Sequence, residues 1–565
     1  MVVSVSRDRP WPEVPSGNKD FTQAAVVIIG AGISGMCMAI DLIKRNKCHN
    51  FVIVEKSSGV GGTWHDNKYP GCCCDVWSML YSYSFEQNPD WTREYPGQEE
   101  ILAYLQAVAE KYGLYKYIRF NTAVEEARWD DAEQKWKVDV KVIGAKDSEF
   151  SPAYTITSDY LVSAVGQLNS PKYPQIPGLD TFKGKMMHSA RWDWSYGLEG
   201  KKIAVIGNGA TAAQIIPEVV KVASRTTVYQ RSPNWVIPEL MPPTPPSSAP
   251  SSNTCLQSAG AFARCRWTSA RVFDAVTDKD SKFAQDIRDW CIGQMHAALP
   301  DQPELWAKLT PNYSPGCKRV IISDDYYPAL ALPNVRLETR AISQITESGI
   351  EVEGGDTEDY DLIVLATGFR TVEFMHPINV IGANGRSIKD IWKGGARALY
   401  GTTVEDLPNF GMFYGPNTNL GHNSIILMIE AQSRYLNAMV KAKLALKPRP
   451  ERVKEYNDEV QEILNKSSFA DPSCNSWYKN EEGRITNNWS GTVIEYQDML
   501  SKVNWDDYIA EGSGAEMVKG KGETKLGRVQ EETSVSNLTL ALGALSALAV
   551  GVGYFARGSR LLRAR

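Results

Sequence analysis

The sequence predicts an α/β protein with two doubly wound halves of the same kind. The first half begins with a β-branched run and a glycine-rich turn, VVIIGAGISG at 26–35, and the second begins with IAVIGNGATA at 203–212. Each half also contains a buried strand that ends in glycine, DYLVSAVG at 159–166 and DLIVLATG at 361–368. Strands that alternate with helices in this order predict parallel sheets covered by helices.

The first glycine-rich turn indicates a dinucleotide site. Gly30 permits the tight turn, Gly32 lets the backbone approach a pyrophosphate, and Gly35 lets the helix lie close to the strand. Glu55 ends the next strand, where a carboxylate accepts a hydrogen bond from an adenosine ribose. Strand, glycines, helix, strand and acid occur in this order, which favours a binding site over a purely structural glycine turn.

The second turn predicts a different dinucleotide. Its expected cofactor contacts are Gly207, Asn208, Gly209, Thr211 and Ala212. Arg231 and Ser232 stand where the first half has its acid. An acid would repel a 2′-phosphate, whereas an arginine can bind one with paired donors. We therefore assign FAD to the first half and NADPH to the second. The alternative is that Arg231 stands by chance on a solvated strand end.

Composition narrows the class of protein. The chain has 565 residues, 43% of them hydrophobic, and a net charge of −5 without a basic run in its body, so we expect several domains and no nucleic-acid partner. None of the ten cysteines forms a CxxC pair. This spacing argues against a dithiol redox site and against a metal site, and we expect free thiols of a reducing compartment.

The two ends of the chain differ in character. The first 20 residues are polar and lack a signal-peptide core, whereas 512–534 are rich in glycine and charge and predict a linker. Leu538 to Phe555 contains no charge and is followed by four arginines. We predict a membrane-spanning helix here, with the body in the cytosol; an interfacial or partner-bound helix is the alternative, because glycine and serine dilute the segment.

Two further segments carry unusual residues. The stretch from Gly61 to Gly71 contains a glycine pair, Trp64 and Tyr69, which predict a wall beside a flat aromatic ring system. A Pro/Ser-rich loop at 241–253 precedes a long stretch with helical spacing. We interpret this stretch as a helical insertion that shapes access to a substrate.

Two motifs then identify a family resemblance. Residues 182–193 fit the pattern FxGxxxHxxxW[PD], and residues 62–75 fit GxWxxxx[FY]PGxxxD, at every fixed position. Both are fingerprints of the type I Baeyer–Villiger monooxygenases of the flavin-containing monooxygenase superfamily, which this chain resembles from about 26 to 508, with most similarity to fungal members. Further similarities lie at 171–179, 366–369 and 415–424.

The resemblance implies roles for individual residues. Arg319 matches the arginine that stabilises a flavin peroxide anion, Asp75 matches an aspartate beside the flavin, and His188 matches a hinge histidine coupled to cofactor motion. Lys318 matches a lysine near the 2′-phosphate of NADP. The implied FAD contacts are Gly62, Thr63, Trp64, Asp66, Val76 and Tyr81, and the implied NADP contacts are Cys73, Cys74 and Asp75. The family usually has arginine or alanine where this chain has the two cysteines.

The expected activity follows from these roles. The resemblance implies an FAD- and NADPH-dependent monooxygenase that inserts one atom of O2 next to a ketone carbonyl, giving an ester or lactone, in secondary metabolism. A permanently protonated arginine can hold the peroxide as an anion without protonating it. The alternatives are oxidation of nitrogen or sulfur at the same site and a membrane-tethered flavoprotein without turnover.

The predicted fold is therefore α/β, with two Rossmann-like dinucleotide-binding domains for FAD and NADP, a helical insertion and a C-terminal hydrophobic tail. The predicted divisions are a polar N-terminal segment (1–20), an FAD-binding domain in two parts (21–165 and 371–511), an NADP-binding domain in two parts (166–236 and 316–370), a helical insertion (237–315), a linker (512–534), a transmembrane segment (535–556) and a basic tail (557–565).

Overall fold

The computed structural model describes residues 22–143, 152–239, 278–421, 423–442, 444–511 and 520–529, which form a mixed α/β fold. The strands are β1 Gln23–Ile29, β2 Phe51–Val54, β3 Ile118–Arg119, β4 Thr122–Asp130, β5 Lys135–Val142, β6 Ala153–Ser163, β7 Lys185–His188, β8 Lys202–Ile206, β9 Arg225–Tyr229, β10 Val236–Ile237, β11 Ile321–Ile322, β12 Val335–Glu338, β13 Ile342–Ile345, β14 Gly349–Val352, β15 Thr357–Asp359, β16 Leu362–Leu365, β17 Asn379–Ile381, β18 Phe410–Met412, β19 Ala445–Pro448, β20 Lys502–Asn504, β21 Tyr508–Glu511 and β22 Glu523–Lys525. The α-helices are α1 Ile33–Asn46, α2 Thr63–Asp66, α3 Gln98–Lys111, α4 Ala210–Val219, α5 Lys282–Ala298, α6 Pro303–Leu309, α7 Tyr326–Leu330, α8 Ile388–Ile391, α9 Ile425–Ala442, α10 Pro450–Leu464 and α11 Val493–Met499.

The larger sheet has the strand order β17-β4-β5-β6-β1-β2-β3, with β18 also paired to β6. Its parallel part contains β1, whose residues from Ala24 to Ile29 are all buried, because helices cover a parallel sheet on both faces. The long strand β6 pairs antiparallel with β5 near its start and parallel with β1 near its end. One strand thus joins the dinucleotide-binding part to an antiparallel extension.

The second sheet is entirely parallel, in the order β12-β9-β8-β16-β7. Helix α4 follows β8 and buries an apolar face that includes Ala212, Ile215 and Ile216. The two glycine-ending strands predicted from the sequence take equivalent places, β6 beside β1 and β16 beside β8. The prediction of two α/β units of the same kind is confirmed.

The chain enters the first sheet twice. Strands β17 and β18 come after the second sheet in sequence, yet they pair with β4 and β6 of the first. Helix α9 then packs on α1, so the two ends of the catalytic body close one core. Helices α5 and α6 lie where the sequence predicts helical spacing, whereas the Pro/Ser-rich loop at 241–253 lies outside the described residues.

The predicted linker is wrong for part of its length. Residues Glu523–Lys525 form β22, which pairs antiparallel with β20. Trp505 donates from Nε1 to the hydroxyl of Thr524 over 2.8 Å, and Val529 is buried. Composition alone could not predict these contacts, because the segment is rich in glycine and charge. Trp505 and Val529 nevertheless attach this short polar strand to the body.

The predicted membrane anchor is also wrong. No helix within the described ranges is both long and apolar enough to cross a membrane. The longest of these helices, α9, has 18 residues but carries Glu430, Arg434 and Lys441 and packs inside the body. The predicted span, 535–556, lies outside the described residues.

Candidate active site

The first glycine turn can be built only from glycine. Gly30 has φ +107°, and a Cβ there would lie 2.6 Å from the carbonyl oxygen of Ala164. A Cβ on Gly35 would lie 1.9 Å from the carbonyl oxygen of Gly30, so the start of α1 sits directly on the turn. No side chain caps the N-terminus of α1. Its first amides are therefore available to an anion such as a pyrophosphate.

A second glycine faces this turn across a narrow space. A Cβ on Gly62 would lie 3.0 Å from the Cα of Gly32, so both positions must stay bare for a ligand to lie against the backbone. Glu55 directly follows β2 beside them and accepts from the amides of Ala31 at 2.7 Å and Ser57 at 2.8 Å. Burial raises the pKa of Glu55, although the two amides oppose that shift. The cradle and the acid fit the adenosine and pyrophosphate of FAD.

The predicted wall of this cradle is formed by α2 and the loop after it. Thr63 begins α2, and the half-buried Val76 lies in the loop. Trp64 is buried and donates from Nε1 to the hydroxyl of Tyr81 over 3.1 Å, with their rings at a T-shaped 5.6 Å. Asp66 accepts from the hydroxyl of Ser57 at 2.8 Å. The wall is thus tied to the segment after β2 that contains Glu55.

The second glycine turn repeats the geometry of the first. Gly207 has φ +121°, and a Cβ there would lie 2.4 Å from the carbonyl oxygen of Ala366 at the end of β16. Gly209 precedes α4, whose N-terminus likewise has no side-chain cap. Asn208 donates to the side chain of Gln230 at 2.9 Å and to the carbonyl of Ser232 at 2.8 Å. Thr211 and Ala212 lie in the first turn of α4, Thr211 partly exposed and Ala212 buried.

Two cations meet beside this second turn. The Nζ of Lys318 donates to the hydroxyl of Ser232 over 2.8 Å. Burial, together with the charge of Arg231, lowers the pKa of Lys318 to about 8. Two neighbouring cations repel each other unless an anion lies between them. The structure therefore brings together Arg231 and Lys318, the two residues predicted to flank a 2′-phosphate, although they are far apart in sequence.

A loop of the first half makes direct contact with α4 of the second. Tyr69 donates to the side-chain oxygen of Gln214 over 2.9 Å, and Gln214 donates in turn to the carbonyl of Cys73 at 3.1 Å. Cys73 thus lies beside α4, whereas the neighbouring Cys74 is buried in the core of the first half. Burial raises the pKa of the Cys73 thiol to about 11, so it is neutral near pH 7.

Arg319 and Asp75 form an ion pair between the two halves. The carboxylate of Asp75 accepts from Nε of Arg319 and, over 2.8 Å, from Nη2. The side chains are 24% and 27% exposed, so the pair is largely withdrawn from water but open on one side. Burial alone would lower the pKa of Arg319, but the charge of Asp75 outweighs it and the net direction is upward. The guanidinium is a fixed cation held by two parallel bonds.

His188 lies away from this pair. It ends β7, is 2% exposed, and its Nδ1 accepts from the amide of Ala190 over 3.1 Å. Its ring contacts those of Tyr173 and Phe369 edge to face. Burial lowers the pKa of His188 to about 4, so the ring is neutral near pH 7. None of its described contacts is with Arg319 or Asp75.

Four polar residues near Arg319 were not predicted from the sequence. They are Tyr414, Asn419, Tyr478 and Asn488. Tyr414 donates to Asn419 over 2.5 Å, Asn419 donates to Asn488 over 3.0 Å, and both tyrosines interact with the charge of Arg319. Asn419 lies in a segment whose resemblance to the family was evident, whereas Tyr478 and Asn488 carry no motif.

The expectation of free cysteines is wrong at two positions. Cys317 and Cys474 are joined by a disulfide across 157 residues, with Cα atoms 6.4 Å apart, in a small apolar cluster with Trp235 and Tyr313. Missing CxxC spacing excludes short-range pairs but not a contact made by folding. The disulfide joins the loop that carries Lys318 and Arg319 to the segment before Tyr478.

Comparisons with known proteins agree with this geometry. A family model described as flavin-binding monooxygenase-like matches residues 23–248. The chain is 56% identical to the FAD-binding monooxygenase ktnD of Aspergillus niger, over 95% of this chain and 90% of that protein. It is 39% identical to a Baeyer–Villiger monooxygenase of Streptomyces coelicolor, over 86% of this chain and 92% of that protein.

A solved structure agrees as well. The crystal structure of OTEMO in complex with FAD and NADP superposes with a TM-score of 0.74 at 25% identity, over 84% of this chain and 97% of that one. The fold, the two glycine turns, the ion pair between them and these relatives lead to one assignment. The chain belongs to the Baeyer–Villiger monooxygenases of the flavin monooxygenase superfamily.

Proposed function

We infer that this chain is an NADPH-dependent flavoprotein monooxygenase that inserts one oxygen atom of O2 next to a ketone carbonyl, giving an ester or lactone. Its cofactors are FAD and NADPH. The observation that supports the assignment best is the Arg319–Asp75 pair, in which a partly exposed guanidinium next to Lys318 is held by a carboxylate of the first half. The fungal relatives favour a place in secondary metabolism.

FAD bound in the first half would supply the redox chemistry, with NADPH as the source of electrons and O2 as the oxidant. The chain's own task is to stabilise the negative charge that develops there without quenching it. Arg319 suits this task, because a guanidinium stays protonated and therefore does not release a proton. Asp75 positions it through two bonds, so the donor geometry is set before the reaction begins.

The assignment of individual cofactor contacts is part of the proposal. The first glycine turn, Glu55 and the wall of Trp64 and Tyr81 would hold FAD, and the second turn with Arg231, Ser232 and Lys318 would hold NADPH. Two observations support these contacts. The glycine cradle leaves room for a pyrophosphate, and the neighbouring cations Arg231 and Lys318 suit a 2′-phosphate. His188 is a positioning residue at the strand end next to β16. The domain divisions predicted from the sequence are retained, apart from the linker and the tail.

Coenzyme choice should depend on the protonation of Lys318. With a pKa of about 8 in the free enzyme, Lys318 is a cation at pH 7 and loses its charge as the pH rises. The 2′-phosphate binds the cation, so KM for NADPH should stay flat below pH ~7.5 and rise up to about tenfold per pH unit above pH ~8. Lys318→Met should raise KM for NADPH at pH 7 by about tenfold or more and abolish this pH dependence. Steady-state kinetics across pH provide the measurement.

Two controls isolate the phosphate contact. NADH has no 2′-phosphate, so its KM should change little with pH or with Lys318→Met. Lys308→Met removes an exposed lysine from α6 in the same half and should leave both coenzymes unaffected. Equal turnover of NADH and NADPH by the unaltered enzyme would contradict the assignment.

The activity itself is tested with a panel of oxygen acceptors. We expect aerobic enzyme with NADPH to convert at least one of cyclohexanone, phenylacetone, 2-dodecanone and progesterone to its ester or lactone, identified by mass spectrometry. Thioanisole and a tertiary amine serve as heteroatom acceptors. Products from these two alone would assign the enzyme to nitrogen and sulfur oxidation instead.

A further inference from the structure

Two buried hydrogen-bond donors converge on the backbone beside Arg319 without a partner of their own. Nη1 of Arg319 donates to the carbonyl of Leu420 over 3.4 Å, and the next residue is Gly421. A Cβ on Gly421 would lie 3.9 Å from Oη of Tyr478 and 4.0 Å from Nδ2 of Asn488. Neither of these atoms has a hydrogen-bond partner among the described residues. The two donors and the guanidinium therefore surround one short stretch of backbone.

The surrounding network fixes the orientation of the Asn488 amide. Tyr414 donates to Oδ1 of Asn419, and Nδ2 of Asn419 donates to Oδ1 of Asn488. Since the oxygen of Asn488 is occupied by a donor, its NH2 group must be the end that faces Gly421. Asn488 is 1% exposed, so its NH2 group cannot reach bulk water. The NH2 group of Asn488 is therefore a fixed, buried donor without an acceptor among the described residues.

Packing fixes Tyr478 in the same manner. Its ring lies 4.4 Å from that of Trp477 and 5.6 Å from that of Phe469, and it is fully buried. Burial raises the pKa of Tyr478 to about 12, so the hydroxyl keeps its proton near pH 7. The charge of Arg319 and the nearby side-chain amide of Asn488 oppose this shift, although the amide and the hydroxyl do not form a hydrogen bond of good geometry with each other. The phenol can donate a hydrogen bond but does not readily surrender the proton. This matters beside Arg319, where a released proton would quench a developing anion.

An unpartnered buried donor costs free energy, so two of them at one place indicate an acceptor that binds there. An oxygen with two lone pairs can accept from both donors at once. We propose that Tyr478 and Asn488 bind the carbonyl oxygen of the ketone substrate and hold its carbon beside Arg319. This rests on the proposed function, because only a ketone-oxidising enzyme needs such a contact. The pair also withdraws electron density from the carbonyl carbon, which favours attack on it.

The test compares the oxidation of a ketone with the oxidation of thioanisole, which has no carbonyl group. Tyr478→Phe keeps the ring and removes only the hydroxyl, and Asn488→Asp keeps the oxygen that accepts from Asn419. For the best ester-forming ketone of the panel, each variant should lower kcat/KM about tenfold, and the double variant should lower it at least about thirtyfold. Thioanisole oxidation should change less than about twofold, because thioanisole has no carbonyl to accept from the pair.

A second readout needs no turnover. Calorimetric titration of that ketone into oxidised, FAD-loaded enzyme without NADPH should show Kd weakened by a similar factor in Tyr478→Phe. Tyr456→Phe is the matched control, because Tyr456 is also buried with an unpartnered hydroxyl, but it lies in α10 and packs on Tyr400. It should bind the ketone as the unaltered enzyme does.

Three outcomes would overturn the proposal. An equal fall with ketone and thioanisole would indicate a general structural role. Loss of FAD, or slower flavin reduction by NADPH under anaerobic conditions, would place the pair on the flavin instead. Unchanged ketone affinity would show that the donors do not meet the substrate. Failure of the proposed function is distinct, since it would leave the unaltered enzyme without any ester from the whole panel.

Discussion

Arg319→Ala should give yellow, FAD-loaded protein that still oxidises NADPH but forms almost no ester. Arg319 contacts Asp75 and the Leu420 carbonyl rather than either glycine turn, so its loss should spare cofactor binding. Removal of one preorganised electrostatic stabiliser costs ~3 kcal/mol, roughly a hundredfold or more in rate. The measurement pairs ester yield by gas chromatography with NADPH consumption and hydrogen peroxide release. We expect the consumed NADPH to appear as hydrogen peroxide.

Arg319→Lys separates charge from geometry. A lysine keeps the positive charge but lacks the planar fork that meets both oxygens of Asp75, and it can release a proton. It should therefore restore little of the lost ester formation. The contrary result would be an Arg319→Ala enzyme that forms ester at the unaltered rate and uses all of the consumed NADPH for it. That result would show that Arg319 takes no part in the chemistry, and it would favour oxidation of heteroatoms as the function.

The second large effect concerns Asp75. Asp75→Ala should cost about as much ester formation as Arg319→Ala, roughly a hundredfold, because the guanidinium loses the two bonds that hold it in place. The double variant should be little worse than either single variant, since residues that act as a unit are not additive. The double-mutant cycle is measured on kcat/KM for the best ketone.

A distant ion pair provides the control for Asp75. Arg452 donates to the buried carboxylate of Asp507 over 3.0 Å in the C-terminal part of the body. Asp507→Asn should lower the melting temperature without changing the ratio of ester formed to NADPH consumed. If Asp75→Ala behaved in the same way, the pair would be structural. If the fold-losses in kcat/KM of the two single variants multiplied in the double variant, Asp75 and Arg319 would be shown to act independently.

Local rules of chain geometry explain why the two nucleotide turns could be predicted. Gly30 and Gly207 lie in turns that no other residue can adopt, and an uncapped helix begins next to each. Such features depend on a few neighbouring residues, and the sequence displays them directly. The exchange of Glu55 for Arg231 between the halves is equally local.

Contacts between distant segments were harder to predict from the sequence. Asp75 and Arg319 are 244 residues apart, and only the resemblance to a known family brought them together before the structure did. The Cys317–Cys474 disulfide, 157 residues apart, follows no spacing rule at all. The donor arrangement of Tyr478 and Asn488 depends on a network that folding assembles. At the C-terminal end, composition suggested a linker at 512–534, but pairing with β20 and a hydrogen bond from Trp505 hold part of it in a strand.

The central claim is that the chain delivers one oxygen atom from O2 into a carbon–carbon bond next to a carbonyl. Turnover of the best ketone under ¹⁸O2, with NADPH and the unaltered enzyme, tests it most directly by mass spectrometry. The account predicts an ester that carries one ¹⁸O atom at its bridging position, and almost none from Arg319→Ala. An ester without the label, or a labelled sulfoxide from thioanisole with no ester from any ketone, would contradict it.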